Sequence, residues 1–227
     1  MNKFIIFIAL SFFSFKCNAA IKDGNKFLNI SNKCSAFFEQ YERKFDLPVN
    51  LLSSVSITES GRRHPHLNLV IPWPYSVNHS GKPYYFDSKS DAIDFVSKLI
   101  KQGFRNIDVG CMQVNLKHHP QAFDNLHEAF DPDSNIAYAA KLIKKNYINN
   151  SSWVKAIAHY HSGERQRGID YASKVIKLWK KQTAKAQPIE ILETSTAASK
   201  NKSYKTPSRN PLRISNEIST SLYKKSK

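Results

Sequence analysis

The chain has 227 residues, enough for one domain of ordinary size with a real core, and a formal net charge of +16. That balance gives affinity for anionic surfaces, whether nucleic acid, anionic lipid or an acidic cell-wall polymer, and does not choose among them. No Cys/His zinc-finger spacing or single-strand aromatic motif is present, and a leader that directs export leaves nucleic acid as the least fitting partner.

The opening "MNKFIIFIALSFFSFKCNAA" has a basic start at Lys3, an apolar run from Phe4 to Phe15 and a small-residue exit ending at Ala19. It reads as a cleavable secretory signal over residues 1–19. The run is too short for a spanning helix, so no stable membrane span is expected in the mature protein. Lys16 before Cys17 argues against a lipid anchor. Cleavage leaves Cys34 and Cys111, and in an oxidising compartment these make either one disulfide or two buried thiols; spacing alone does not decide.

The mature domain is expected over residues 20–181. "CSAFFEQYERKF" sets Cys34, Phe37, Phe38, Tyr41 and Phe45 on one face of a helix. In "LPVNLLSSVSITESGRR", residues 47–63, Leu52 and Val55 lead at helical spacing to Glu59. Pro48 suits the first turn and Gly61 the left-handed residue past the end, so Glu59 falls in the last turn. "VIPWPYSVNHSGKPYYF", residues 70–86, is the one region that reads as extended, a hairpin looping around Gly81 with prolines that suit edge strands. Trp73, Tyr75, Tyr84 and Tyr85 there serve either hairpin packing or sugar stacking.

"DSKSDAIDFVSKLIKQGF" opens with a capping pattern from Ser88 to Asp91, aligns Ala92, Val96 and Leu99, and stops near Gly103. "VGCMQVN", residues 109–115, offers two amides beside an apolar methionine, a composition that suits a cleft wall. "DPDSNIAYAAKLIKKNY" aligns Ile136, Ala140, Ile143 and Tyr147. "AIAHYHSG" brings Tyr160 and His161 to a helix's last turn, and "GIDYASKVIKLW" aligns Ile169, Ala172, Ile176 and Trp179. From residue 182 to 227 the pattern dissolves into a polar, basic, proline-interrupted stretch expected to be a disordered tail, either a solvated extension or a wall-binding arm.

Glu59 stands out because burial and the negative end of a helix dipole both disfavour an ionised carboxylate. An acid so placed is expected to hold its proton towards neutral pH, as a general acid must when it protonates a glycosidic oxygen. The bland alternative is a packed stem whose head reaches water. The pairs His118/His119 and His159/His161 lack a carboxylate or cysteine at ligand spacing, so no metal and no cofactor are expected.

Taken together and in order, "ITESG", "GCMQVN" and "AHYHSG" resemble the soluble lytic transglycosylases, lysozyme-like enzymes that cut peptidoglycan. The usual forms are a Glu-Ser pair, Gly-Leu-Met-Gln and Ala-Tyr-Asn-Ala-Gly, and the resemblance covers residues 34 to 180. The "WP" hairpin and "GCMQ" look like one exported branch; Cys111 stands for the usual leucine and His161 for the usual asparagine. The resemblance implies a mainly α, lysozyme-like α+β fold, a helical domain with one small β-hairpin insert, in a periplasmic enzyme. It implies Glu59 as acid and base, Met112 and Gln113 on the cleft, Tyr160 holding the carboxylate, and Asn115, His161 and Ser76 as further substrate contacts. It also implies a Cys34–Cys111 disulfide. The partner it implies is the peptidoglycan glycan strand, with a secretion or conjugation apparatus as a second candidate. A hydrolytic lysozyme would need a second carboxylate, for which Asp108 is the candidate, and a silent wall-binding scaffold is the rival from another class.

Overall fold

The computed structural model describes the backbone of residues 4–186 and the side chains of residues 24–184. The expected signal peptide and residues 187–227 of the expected tail lie outside the residues whose side chains are described. Helix α1 runs Phe4–Lys44 and α2 Leu51–Ser60. Short strands follow, β1 Arg62–Arg63, β2 Val70–Ile71, β3 Ser76–His79 and β4 Lys82–Tyr85, then α3 Lys89–Lys101, β5 Ile107–Val109 and β6 Val114–Asn115. The chain closes with α4 Leu126–Ala129, α5 Pro132–Asn150, α6 Trp153–His161 and α7 Arg165–Ala186. This is the mainly helical, lysozyme-like fold that the motif order implies.

Local chemistry accounts for several helix starts. Ser88 accepts from the Asp91 N–H at 3.1 Å while its hydroxyl donates to the Asp91 carboxylate, a reciprocal cap at the start of α3. Asp131 caps α5 through the Ser134 N–H, with Pro132 in the first turn. α7 runs past Lys181 to Ala186, and the Ser54 hydroxyl donates to the Gln182 side chain. Among the described residues, no helix is long and apolar enough to cross a membrane.

Three local expectations are corrected. α2 starts at Leu51, not at Pro48, because the buried Glu42 carboxylate accepts from the Asn50 and Leu52 N–H groups at 2.9 and 2.8 Å. An acid from α1 thus satisfies donors that no local cap satisfies. Gly61 has φ −57°, so handedness is not why it is glycine; a Cβ there would stand 2.2 Å from the Ile57 carbonyl oxygen and 2.7 Å from Val70 Cγ1. Extended structure is also wider than one hairpin. β3 and β4 do pair across Ser80 and Gly81, but the sheet continues in the order β4-β3-β5-β6, and β2 pairs with β1 instead. Strands of two or three residues are below the length at which alternation can be read.

Two apolar clusters flank this sheet. One gathers Leu52 and Val55 of α2, Ile136 and Ile143 of α5, Ile157 of α6 and Val175 of α7 around Cys111 and Met112. The other places Trp73, Val77, Ile107 and Val109 against Val96 of α3 and Phe130. Hairpin packing is the role of the hairpin aromatics: Trp73 is fully buried and donates to the Phe86 carbonyl at 2.7 Å, Tyr84 packs on Phe95, and the Tyr85 hydroxyl donates to the Gly61 carbonyl.

Candidate active site

The turn Gly110–Gln113 between β5 and β6 is held from four helices. Cys34 of α1 reaches Cys111 through a disulfide with Cα atoms 5.9 Å apart. From α2, Ser56 and Ser60 both donate to the Cys111 carbonyl at 2.7 Å. From α5, the fully buried Asn135 donates to the Val109 carbonyl and accepts from the Met112 N–H at 2.9 Å. From α6, the Tyr160 hydroxyl donates to the Met112 carbonyl at 2.7 Å. Gly110 is at φ +83°, and a Cβ on it would lie 2.4 Å from Asn135 Nδ2, so two independent demands select glycine. Ser60 also accepts from the Trp73 N–H, which ties the hairpin to the residue beside Glu59.

Glu59, in the last turn of α2, is 14% exposed. Its Oε1 lies 3.9 Å from Nδ1 of His161, the last residue of α6. The His161 ring stacks on Tyr171 of α7, centroids 4.3 Å apart and planes 6° from parallel. The buried Tyr171 hydroxyl approaches Glu59 without meeting hydrogen-bond geometry to any partner. Burial, then the Glu59 charge, push both Tyr171 and Tyr160 well above the ordinary phenol range, so both remain proton donors.

Asp108 of β5 is the second carboxylate in this field. Burial raises its pKa; the N–H donated by Asn115 lowers it, the Glu59 charge raises it, and His161 and His118 lower it, leaving it above the ordinary aspartate range. Asn115 Nδ2 donates to Asp108 and to Asn106, both at 2.7 Å, while its carbonyl oxygen accepts from the Lys117 and His118 N–H groups.

The motifs that the sequence singles out therefore converge, with altered parts for several side chains. Met112, a residue of the turn itself, is fully buried in the core and not exposed on an open wall. Ser76, 2% exposed, contributes its carbonyl, which accepts from the Gly110 N–H and from Gln113 Nε2. Gln113 also donates to the Gly110 carbonyl, so its amide nitrogen braces the turn. Tyr160 holds the turn and not Glu59 directly. Asn135 and Tyr171 escape the sequence reading, since an amide at the edge of the α5 stripe and a tyrosine on an amphipathic helix look like packing. Among the described residues, no cluster of three or more His, Cys, Asp or Glu side chains gathers at metal distance.

Four helices and a sheet edge thus serve to fix one turn beside one half-hidden acid. Residues 36–181 match the family described as Transglycosylase SLT domain. The chain belongs to that family. Membership carries a lytic transglycosylase-type action on peptidoglycan in general, outside the cytoplasm where that polymer lies. No curated protein and no solved structure matches the chain.

Proposed function

We propose that this protein is an exported, periplasmic lytic transglycosylase that cleaves the β-1,4 bond between N-acetylmuramic acid and N-acetylglucosamine, leaving 1,6-anhydro ends. Glu59 protonates the leaving oxygen as the substrate's acetamido group assists. It then takes the proton of the 6-hydroxyl as that oxygen closes the anhydro ring. Atoms balance without water, metal or cofactor. The observation that carries the reading is the setting of Glu59: 14% exposed, at the end of α2, beside the pinned turn, His161 at the end of α6 and Tyr171 of α7.

Supporting features take defined parts. Tyr160 keeps the turn at a fixed height relative to α6, and Gln113 keeps its backbone closed. His161, in the place where asparagine is usual, stands 3.9 Å from the carboxylate and is 37% exposed, which leaves its imidazole open to a substrate contact. Digestion of purified peptidoglycan, followed by mass analysis of the sugar ends, tests the proposal. Muropeptides with anhydro ends are expected; intact sacculi, or fragments without any anhydro ends, would overturn it.

A further inference from the structure

The sequence between Glu59 and Asp87 holds no acid, and it leaves the helix end that carries the Glu59 carboxylate. β1 begins at Arg62 and pairs with β2 through Arg63 and Val70. Val70 lies so close over Gly61 that a Cβ there would stand 2.7 Å from its Cγ1, and the Tyr85 hydroxyl donates to the Gly61 carbonyl at 3.0 Å. The segment is thus fastened to the backbone just past Glu59. Leu67, Leu69 and Val70 on it are 46%, 46% and 40% exposed. They are held there from within. His64 is 3% exposed; its N–H donates to the Leu69 carbonyl at 2.8 Å, and its Nδ1 accepts the N–H groups of His66 and Leu67, both at 3.1 Å. Phe27 of α1 packs edge-on against the imidazole. Apolar side chains presented to solvent on a backbone pinned by a buried ring mark a preformed contact surface. Its charge is one-sided. Arg62 is engaged, bonded to Asp87 at 3.1 Å and stacked on Trp73, whereas Arg63 donates to the Asn68 side chain and, among the described residues, pairs with no carboxylate.

We infer that this segment is a binding surface for the peptide stem of peptidoglycan, so that the enzyme favours glycan strands that still carry their peptides. The inference rests on the proposed function and names what the same site takes besides the sugars. Each N-acetylmuramic acid bears on its lactyl arm a short peptide with alanine methyls and free carboxylates. Leu67, Leu69 and Val70 fit the methyls, and Arg63 fits a carboxylate that no acid on the segment repels. Continuity with the site selects this occupant over a lipid surface or a partner protein. A strand cut at Glu59 brings a stem on the very sugar whose bond is broken. A stem of four or five residues reaches about 15 Å when extended, beyond the span of the two residues that lead from Glu59 to Gly61.

The test compares glycan strands that keep their stems with strands from which an amidase has removed them, following release of anhydro ends from each. The wild-type protein is expected to show a KM about 10-fold lower on the peptide-bearing strands, the scale of covering one or two half-exposed apolar side chains. Leu67→Ser combined with Leu69→Ser should bring the ratio of the two KM values close to one, acting through KM and not kcat. Arg63→Glu should weaken the preference and remove its dependence on salt. Both variants change exposed side chains, so their thermal melts should match the wild type. Equal KM values for the two strands in the wild type, or a preference that both variants keep, would overturn the inference and leave the proposed function standing. So would a wild-type dimer that the leucine variant turns into a monomer, since the surface would then belong to a second copy. An absence of anhydro ends from either strand would overturn the proposed function, and the inference with it.

Discussion

Replacing Glu59 by glutamine keeps the shape of the side chain and removes its proton, so the protein should stay folded while lytic activity falls by about 100-fold or more. Dye release from labelled sacculi, beside a thermal melt, checks both halves. Stability should hold or rise slightly, because an acid at the carboxyl end of a helix is unfavourably placed. Asp108 makes a prediction about pH. Its carboxyl binds a proton more tightly in the folded protein than in the unfolded chain, so ionising it costs stability as pH rises from the unfolded value of about 3.9 through the raised folded value. Asp108→Asn should therefore raise the denaturation midpoint at pH 7, and the gain should vanish near pH 3. A variant less stable than wild type at pH 7 would show that the bond from Asn115 outweighs burial. At this scale Glu59 was legible in the sequence because an acid on an apolar stripe is conspicuous. The part taken by Asn115 was not, since an amide offered to a sugar and an amide spent on a neighbouring carboxylate look alike until the strands are paired.

The start of α2 is set by a residue of another helix, and that makes it a test of element-level reasoning. Glu42→Ala should cost about 2 kcal/mol, because two N–H groups lose a charged acceptor in a buried setting. Urea unfolding would measure it. A loss near zero would mean that Asn50, at φ 64°, suffices as the cap. Helices with their own side-chain caps, α3 and α5, can be read from sequence because the signal is local. α2 cannot be bounded that way, since its capping carboxylate lies eight residues before Asn50. The same distinction applies to the sheet: the β3–β4 hairpin announces itself through Ser80 and Gly81, whereas β5 takes its place by pairing with β3 and β6 by pairing with β5.

At the scale of the whole molecule, the Cys34–Cys111 disulfide spans 77 residues of sequence, and the resemblance had implied it where spacing left the choice open. Replacing both cysteines by alanine should lower stability by about 4 kcal/mol, the model-dependent effect of closing a loop of that length. Activity should fall further than stability requires, since the turn beside Glu59 would lose its tie to α1. Comparing turnover at a temperature where both forms are fully folded separates the two effects. Ending the chain after Ala186 should preserve a cooperative melt and cleavage, because the described helices already build two extensive apolar clusters. Loss of the melt would place part of the core beyond that residue.

The bridge also encloses the segment that carries Leu67, Leu69 and the first β2 residue, Val70, three exposed apolar side chains between β1 and the hairpin. A protease that cut the backbone there would break one peptide bond and separate nothing. The two pieces would migrate as one band without reductant and as two with it, and both would still contribute to the same packed body. Cut at this exposed apolar segment, the protein would thus remain a single molecule.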